Sequence, residues 1–598
     1  MFFLSVIAFA MIINVHAAGS RAQADLPGAG TEINVIGWAG GETDSNMNLI
    51  RGFLSDQGFD VRINILPDAA SWTTLVVAGN YDLALTTWTT VTGNPDYAVR
   101  SIFRSDGPWN RGGINDSRVD QFIDLAATQT PAEWTDTYRQ LENALITDNA
   151  YIIPFYRMTK TMAVNRNIIR PESATLSQAR GTIWNLIDYA NPAQRENRPL
   201  RLSQQLSILT SLDPIRGNDG SIQIMNQNTN VRLVNLSPDD SIITDGALSY
   251  QYVIAEGNSD FYFVLRDNLH FARVENRNVV NTGVRVGASD VVFSLTRAVD
   301  RNSVPDHRTF SLFDSISDVS IVTDLSVLDS VRGTGATRTM RQIFEERTPT
   351  RITSLTANSA NVNNANGVYQ VVRVRTHQPF PQVLNFLAHM AAGIVSEQQV
   401  RSINTFEAAA FDRNIHIPYG DQSVITEGPT YNHHVWASGP YIPIVKNDYE
   451  IVFERNPFFM PGTEWAARIR QVNVRFIVDK DTEISAFRSE DLDMVQELVP
   501  VQQWDLITSN PNFELKRVPS HQVIYLWTNQ NGSMRNRDLR LAVLHSINQD
   551  DTVAFYQNRY FRAYSTLSSL VDTGNVVRYD PARVAEHMRR FREAGSPR

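Results

Sequence analysis

The sequence predicts a mixed α/β protein with more than one packed core, and three observations predict it. Strand-like and helix-like segments alternate between residues 32 and 165, the pattern of sheets covered by helices. Beyond residue 200 strand signals follow one another, as in antiparallel sheet. The 598 residues, 42% hydrophobic and 20% charged, suffice for two or more cores and are too balanced for global disorder.

The elements follow in order. MFFLSVIAFAMIINVHA is an uncharged apolar run followed by small-residue sites at Val15-x-Ala17 and Ala22-x-Ala24, which makes residues 1–24 a signal peptide and the protein exported. With no Lys or Arg before Arg21, a retained membrane anchor is the alternative. INVIGW reads as a strand, MNLIRGFLSDQG as an amphipathic helix closed by Gly58, and VRINIL and YDLALTTW as further strands. Ser117 to Asn149 carries helically spaced apolar residues at Val119, Phe122, Ile123 and Ala126, then at Tyr138, Leu141, Ala144 and Leu145. This gives two helices parted near Thr130-Pro131. YIIPFY is a buried strand leading into residues 161–168, and NPAQRENRPL, residues 191–200, has linker composition. Strand signals come next at FYFVLR and VVFSLTRA, a loop from Thr348 to Asn366, and strands at VYQVVRVRT, EIVFER and VNVRFIV. No short-period repeat is present, which excludes solenoids and propellers.

Composition removes several function classes. Lys plus Arg total 54 against 63 Asp plus Glu, a net charge of -9, so there is no overall basic field for nucleic acid or anionic lipid. The absence of Cys removes thiol nucleophiles, disulfides, Cys-ligated metal and a lipoprotein anchor. His433 and His434 are adjacent, so on a strand they point to opposite faces, which is poor metal geometry. Asp572-Thr573-Gly574 lacks the second copy that aspartic-protease chemistry needs and reads as a polar turn. The Arg589, Arg590 and Arg592 cluster beside Phe591 reads as a solvated helix face. No nucleophile elbow, His-Glu-x-x-His or phosphate loop occurs. The expectation is a protein that is not an enzyme and uses no cofactor or metal.

FYFVLRDNLHF followed by ASDVVFSLTRAVD, Phe261 to Asp300, resembles the signature of the family 5 extracellular solute-binding proteins, the dipeptide, oligopeptide and nickel receptors of ABC importers. SLDP (211–214), ASGPY (437–441), ERNPFF (454–459), SEDLDM (489–494), YLWTNQ and RDLRLAVLHSINQDD follow in that family's order. Residues 32–165, with GFDVRINIL, AGNYDLALTTWTTVTGNPDYAV, SRVDQFIDLA and NAYIIPFYRM, resemble the family's C-terminal segment. RYDPARVAEHMRRFREAG at the chain's end resembles the helix that precedes it. The order is rotated, as in a circular permutant cut at a surface turn.

The resemblance implies a two-lobed periplasmic-binding-protein-like fold (class II, cluster C), permuted. One lobe is split between residues 30–158 and 524–598, and the other is continuous over 159–523, including a join of the old termini through residues 185–200. Gly595 is expected near Thr31. A fusion of two truncated neighbouring genes is the alternative. The implied protein is a periplasmic monomer that binds a peptide or other small polar solute between its lobes. It docks on ABC transporter permease subunits, with YIIPFYRM and HQVIYLWTNQ crossing at the hinge. A non-transport sensor that keeps the fold is a second reading, and a secreted hydrolase a third. By resemblance, Thr87, Trp88, Thr89 and Thr90 line the cleft, with Trp527 and Asn529 contributing from the hinge side. Core packing for Trp88 and a strand end for Trp527 and Asn529 are the structural alternatives. Where peptide receptors carry an Asp three residues after the Trp, this chain has Val91, so anchoring a free amino terminus would fall to Asp96, whose other reading is a helix cap.

Overall fold

A computed structural model describes residues 26–595 except 40–41, 68, 108, 206–208, 217–219, 424–434, 497 and 568–569. The leader and the His433-His434 pair lie outside the described residues.

The first strand, β1 (Glu32–Trp38), buries Ile33, Val35 and Ile36 completely, the continuous apolar pattern of a strand covered on both faces. It is flanked in parallel by β2 (Asp60–Leu66), whose exposure alternates as befits an edge, and by β3 (Leu83–Thr89). Between β1 and β2 runs α1 (Thr43–Asp56), which turns Met47, Ile50 and Leu54 inward at helical spacing. Gly58 ends it at φ +91°, a conformation that a side chain disfavours. Two helices follow, α2 (Ser117–Thr128), capped by the Asp116 carboxylate, and α3 (Trp134–Glu142), parted as the Thr130-Pro131 break predicts.

Next comes the long strand β4 (Ile152–Asn165). Residues 191–200 after it are no free tether. The buried Asp188 carboxylate holds Arg195 Nε at 2.7 Å, the Arg198 guanidinium binds both oxygens of Asp493 at 2.9 and 2.7 Å, and the Tyr189 hydroxyl donates to the Arg198 carbonyl. These residues lead into β5 (Leu200–Gln204).

Residues 249–376 contain an antiparallel sheet of β6 (Ser249–Ile254), β7 (Asp260–Leu265), β10 (Ile316–Val322) and β11 (Val371–Thr376), in the order β10-β11-β7-β6. Between β7 and β10 come a hairpin of β8 (His270–Glu275) and β9 (Asn278–Arg285), then α4 (Ala288–Val299). The strand expectation for VVFSLTRA is therefore corrected: Val291, Leu295 and Ala298 recur at i, i+4 and i+7 and pack on one core. That single buried face outweighs the strand propensity of the Val-Val-Phe run. After α5 (Val383–Ala388), β12 (Tyr441–Lys446), β13 (Glu450–Arg455) and β14 (Gln471–Phe476) join β5 in a second sheet, in the order β12-β13-β14-β5. Then come α6 (Lys480–Arg488) and the short β15 (Met494–Val495).

The chain then returns through β16 (Phe513–Thr528), which completes a six-stranded sheet in the order β15-β4-β16-β3-β1-β2. β4 and β16 run antiparallel through two different cores. Ile152, Ile153, Phe155 and Tyr156 with Val523, Tyr525, Leu526 and Trp527 belong to one core, and Met162, Val164 and Phe513 to two others. The first core combines residues 33–156 with residues 523–591. It is closed by α7 (Arg537–Ser546) and α8 (Pro581–Glu593). Val584, Met588 and Phe591 of α8 are buried, worth about 1.5–3 kcal/mol each relative to exposure. Asp580 caps α8, Pro581 opens it, and Arg592 donates to the carbonyls of Pro27 (2.8 Å) and Ala29 (3.1 Å), so the last helix meets the first described residues.

Candidate functional site: a cavity beside the crossing strands

The register of β4 and β16 breaks where the cores meet. Pro519 pairs with Thr159 and Val523 with Arg157, so Ser520, His521 and Gln522 oppose Met158 alone. Pro519 has no N–H to give, and Gln522 N donates to the Ser520 hydroxyl instead (3.0 Å). Beside this bulge lies a cavity of about 500 Å³. One wall carries Leu85, Thr86 and Thr87 of β3, Tyr156 of β4 and Glu42 and Asn46 at the start of α1. The facing wall carries Gln205, Lys480 and the segment Val499 to Gln502 ending on Trp504.

The wall is ordered by hydrogen bonds. The Glu42 carboxylate accepts from the Tyr560 hydroxyl (3.1 Å) and from Gln502 Nε2 (3.3 Å), the second bond joining the two walls. Asn46 donates to the Tyr156 hydroxyl (3.1 Å) and accepts from that of Tyr556 (2.8 Å), and the Tyr156 and Tyr560 rings stack at 4.9 Å. Burial pushes both phenols far above their ordinary range, and the nearby Glu42 charge adds to this at each. Both therefore stay neutral, Tyr560 donating to Glu42 and Tyr156 accepting from Asn46. The Lys480 ammonium is paired with Glu483 at 2.7 Å. Such a cavity, apolar and aromatic with a few fixed polar groups, suits a small ligand. Among the described residues no group of three or more His, Asp or Glu could hold a metal ion, and no helix is long and apolar enough to cross a membrane.

Comparison with known proteins agrees with the resemblance in the motifs. The family described as bacterial extracellular solute-binding proteins, family 5 Middle, matches residues 247–596, more than half of the chain. This chain belongs to that family. It is a family of binding proteins and not of enzymes. No curated protein matches the chain. Similar solved structures include MoaA of A. tumefaciens R10 in complex with mannopinic acid, with 16% identity, 67% of this chain and 65% of that chain covered, and TM-score 0.41. DppA of Helicobacter pylori with the peptide STSA gives 15%, 67%, 67% and 0.41. The dipeptide-binding protein of Pseudoalteromonas sp. SM9913 with Met-Leu gives 15%, 52%, 50% and 0.36. The chain thus spans about two thirds of the length of the first two and half of the third.

The residues that family resemblance singled out are dispersed. Thr87 lines the cavity, its hydroxyl donating to the Val523 carbonyl at 3.1 Å. Trp88, one residue on, packs against Tyr97 at 5.3 Å, and its indole N–H has no partner among the described residues. Thr89 ends β3 exposed, whereas Thr90 is buried and its N–H donates to the His521 carbonyl at 3.3 Å. Asp96 is 2% exposed and lies away from this cavity. Burial pushes its carboxyl up, Arg100 at 2.9 Å pulls it back, and its carbonyl opens the helical turn at Arg100. Trp527 is 4% exposed and stacks on Tyr525. The Asn529 amide is committed to the carbonyls of Gly79 (2.9 Å) and Tyr81 (2.8 Å).

Sequence reasoning missed Glu42, Tyr156, Trp504, Lys480 and Tyr560. YIIPFY carried Tyr156 as a hinge strand, but nothing local marks the other four. Asp572-Thr573-Gly574 is a turn, with Gly574 at φ +70° and the Thr573 hydroxyl donating to the buried Glu142 carboxylate of α3. On α8, Arg589 and Arg590 pair with Glu593 and Glu586 along the helix.

Proposed function

We propose that the chain is an exported, periplasmic receptor of an ABC importer. It captures a peptide-like or other small polar solute between its lobes and presents it to the permease subunits as a monomer. The carrying observation is the cavity beside the β4–β16 bulge, whose walls belong to different cores. A ligand touching both walls favours the closed arrangement by its differential affinity alone, and the bulge at Ser520 to Gln522 gives the two strands a place to bend. No bond is made or broken. Thr86 and Thr87 serve as direct contacts, and Trp88 and Thr89 follow them on β3. Asp96, Trp527 and Asn529 hold the lobe together, in keeping with their burial and partners.

The proposal extends to the order of the chain, a circular permutant with lobes 30–158 plus 524–598 and 159–523. One core shared by both chain ends supports it, as do the α8 bonds to Pro27 and Ala29 and a family match running to residue 596. Thermal unfolding of the mature chain against short peptides, amino-blocked peptides and sugars tests the reading. One cooperative transition, raised by about 2.7 kcal/mol of stabilisation at 100 times Kd of the true ligand, is expected. Two unshifted transitions would refute an assembled receptor.

A further inference from the structure

Resting on the reading that β4 and β16 bend at their bulge to close the lobes, we infer that Asp240 is the stop of that hinge, clasping His521 and seating Gly93 in the closed arrangement. His521 is the middle residue of the bulge and 2% exposed, and its Nε2 is bonded to the Asp240 carboxylate. Its carbonyl takes the Thr90 N–H just past β3, and its neighbour Gln522 lines the cavity. The second carboxylate oxygen of Asp240 accepts from Ala179 N at 3.2 Å. One side chain thus gathers the crossing strand and the segment after β4 onto the turn Ser237 to Ser241.

The turn is shaped for this. The Ser237 N–H closes it on the Ser241 carbonyl (2.9 Å), and Asp240 stands at φ +66°, a left-handed conformation that Asp tolerates. Gly93 comes down on it at φ +61°, and a Cβ there would lie 3.0 Å from that of Asp240 and 3.5 Å from that of Ala179. The flanking Thr92 and Asn94 bond to Asn385 and Gln382, so the seat of Gly93 is part of the closed contact. A carboxylate suits the place, because burial pulls the Arg180 guanidinium down to about 10 and the Asp240 charge pulls it back up. The ladder is interrupted at the bulge and resists bending least there, and a charge-assisted bond is stronger than a neutral one. The clasp therefore sets the closed angle at the residue where the strands bend.

The chain contains no Cys, so Val77→Cys and Tyr449→Cys, at positions 65% and 79% exposed, place one spin label on each lobe of the full mature chain. Double electron–electron resonance then reads the distance between the lobes without any ligand. The doubly labelled parent should give one short distance. Asp240→Gly keeps the turn, because Gly accepts φ > 0. It is expected to add a longer distance and to raise the open-to-closed ratio about tenfold, the worth of a charge-assisted hydrogen bond. His521→Ala should do the same, and His521→Gln, whose Nε2 replaces that of the ring, should restore the short distance. Gly93→Asn, which tolerates the left-handed backbone but presses on Asp240, should force the long distance with the clasp intact. A single short distance in Asp240→Gly, or an effect confined to its urea midpoint, overturns the stop, and if Gly93→Asn still opens the lobes the hinge reading stands. If no variant changes the distance, the hinge reading falls and the inference with it.

Discussion

Two contacts between the lobes differ in kind. At the cavity, the partly exposed Glu42, Thr86 and Thr87 face open space, and the Glu42 carboxylate has no counter-ion among the described residues. At the second contact, the Gln382 amide at the foot of α5 is 1% exposed and engaged at both ends. Its Oε1 accepts from Asp96 N (2.9 Å) and its Nε2 donates to the Tyr138 hydroxyl (3.0 Å), while its carbonyl takes Asn94 Nδ2 (3.1 Å). Asn385 adds a bond to the Thr92 carbonyl at 3.2 Å. Saturated, buried polar groups fix position and leave nothing for a ligand, whereas the incompletely matched wall has recognition capacity left over.

Breaking the saturated contact should have the largest effect. Gln382→Leu strands the Asp96 N–H and the Tyr138 hydroxyl in the interior and should cost about 3 kcal/mol of stability, read from the urea midpoint. A loss under about 1 kcal/mol would mean that water replaces the amide.

The same neighbourhood should carry a pH dependence. His389, just past α5, is fully buried, its Nε2 has no partner among the described residues, and burial lowers its pKa from 6.5 to about 4. The unfolded chain takes up this proton below 6.5 and the folded chain only near 4. Stability is therefore full above 6.5 and lost as pH falls to about 4, by about 3 kcal/mol. Asp290, raised to about 6 by burial, acts in the opposite sense between about 6 and its unfolded value. The difference between wild type and His389→Asn, by urea titration at pH 7 and pH 4.5, isolates the histidine. Equal pH slopes in the two proteins would show that His389 does not contribute.

A smaller effect sharpens the division of labour. Asn529→Ala removes two buried amide bonds and should cost about 2 kcal/mol in unfolding, while ligand affinity by calorimetry stays within about twofold. A tenfold loss of affinity would return Asn529 to the ligand.

Legibility followed the range of the interactions. The α1 stripe, the break at Thr130-Pro131 and the strands VRINIL and EIVFER were readable because period and turn chemistry are local. Residues 288–299 were ambiguous because Val-Val-Phe fits either period until the packed face is known. In the site, Thr87 could be reached through family motifs. Glu42, Trp504 and Tyr560 could not, since each comes from a different part of the chain and only packing brings them to one cavity.

By itself, then, the sequence determined the α/β class, most elements, the family signature and the absence of thiol chemistry, all properties of composition and short spacing. The tertiary structure alone decided which charge on the cavity wall stays unmatched, that Asp96, Trp527 and Asn529 face inward, and that residues 191–200 are tied down by Asp188 and Asp493. These outcomes depend on partners hundreds of residues away, and no local pattern encodes which buried polar groups find each other.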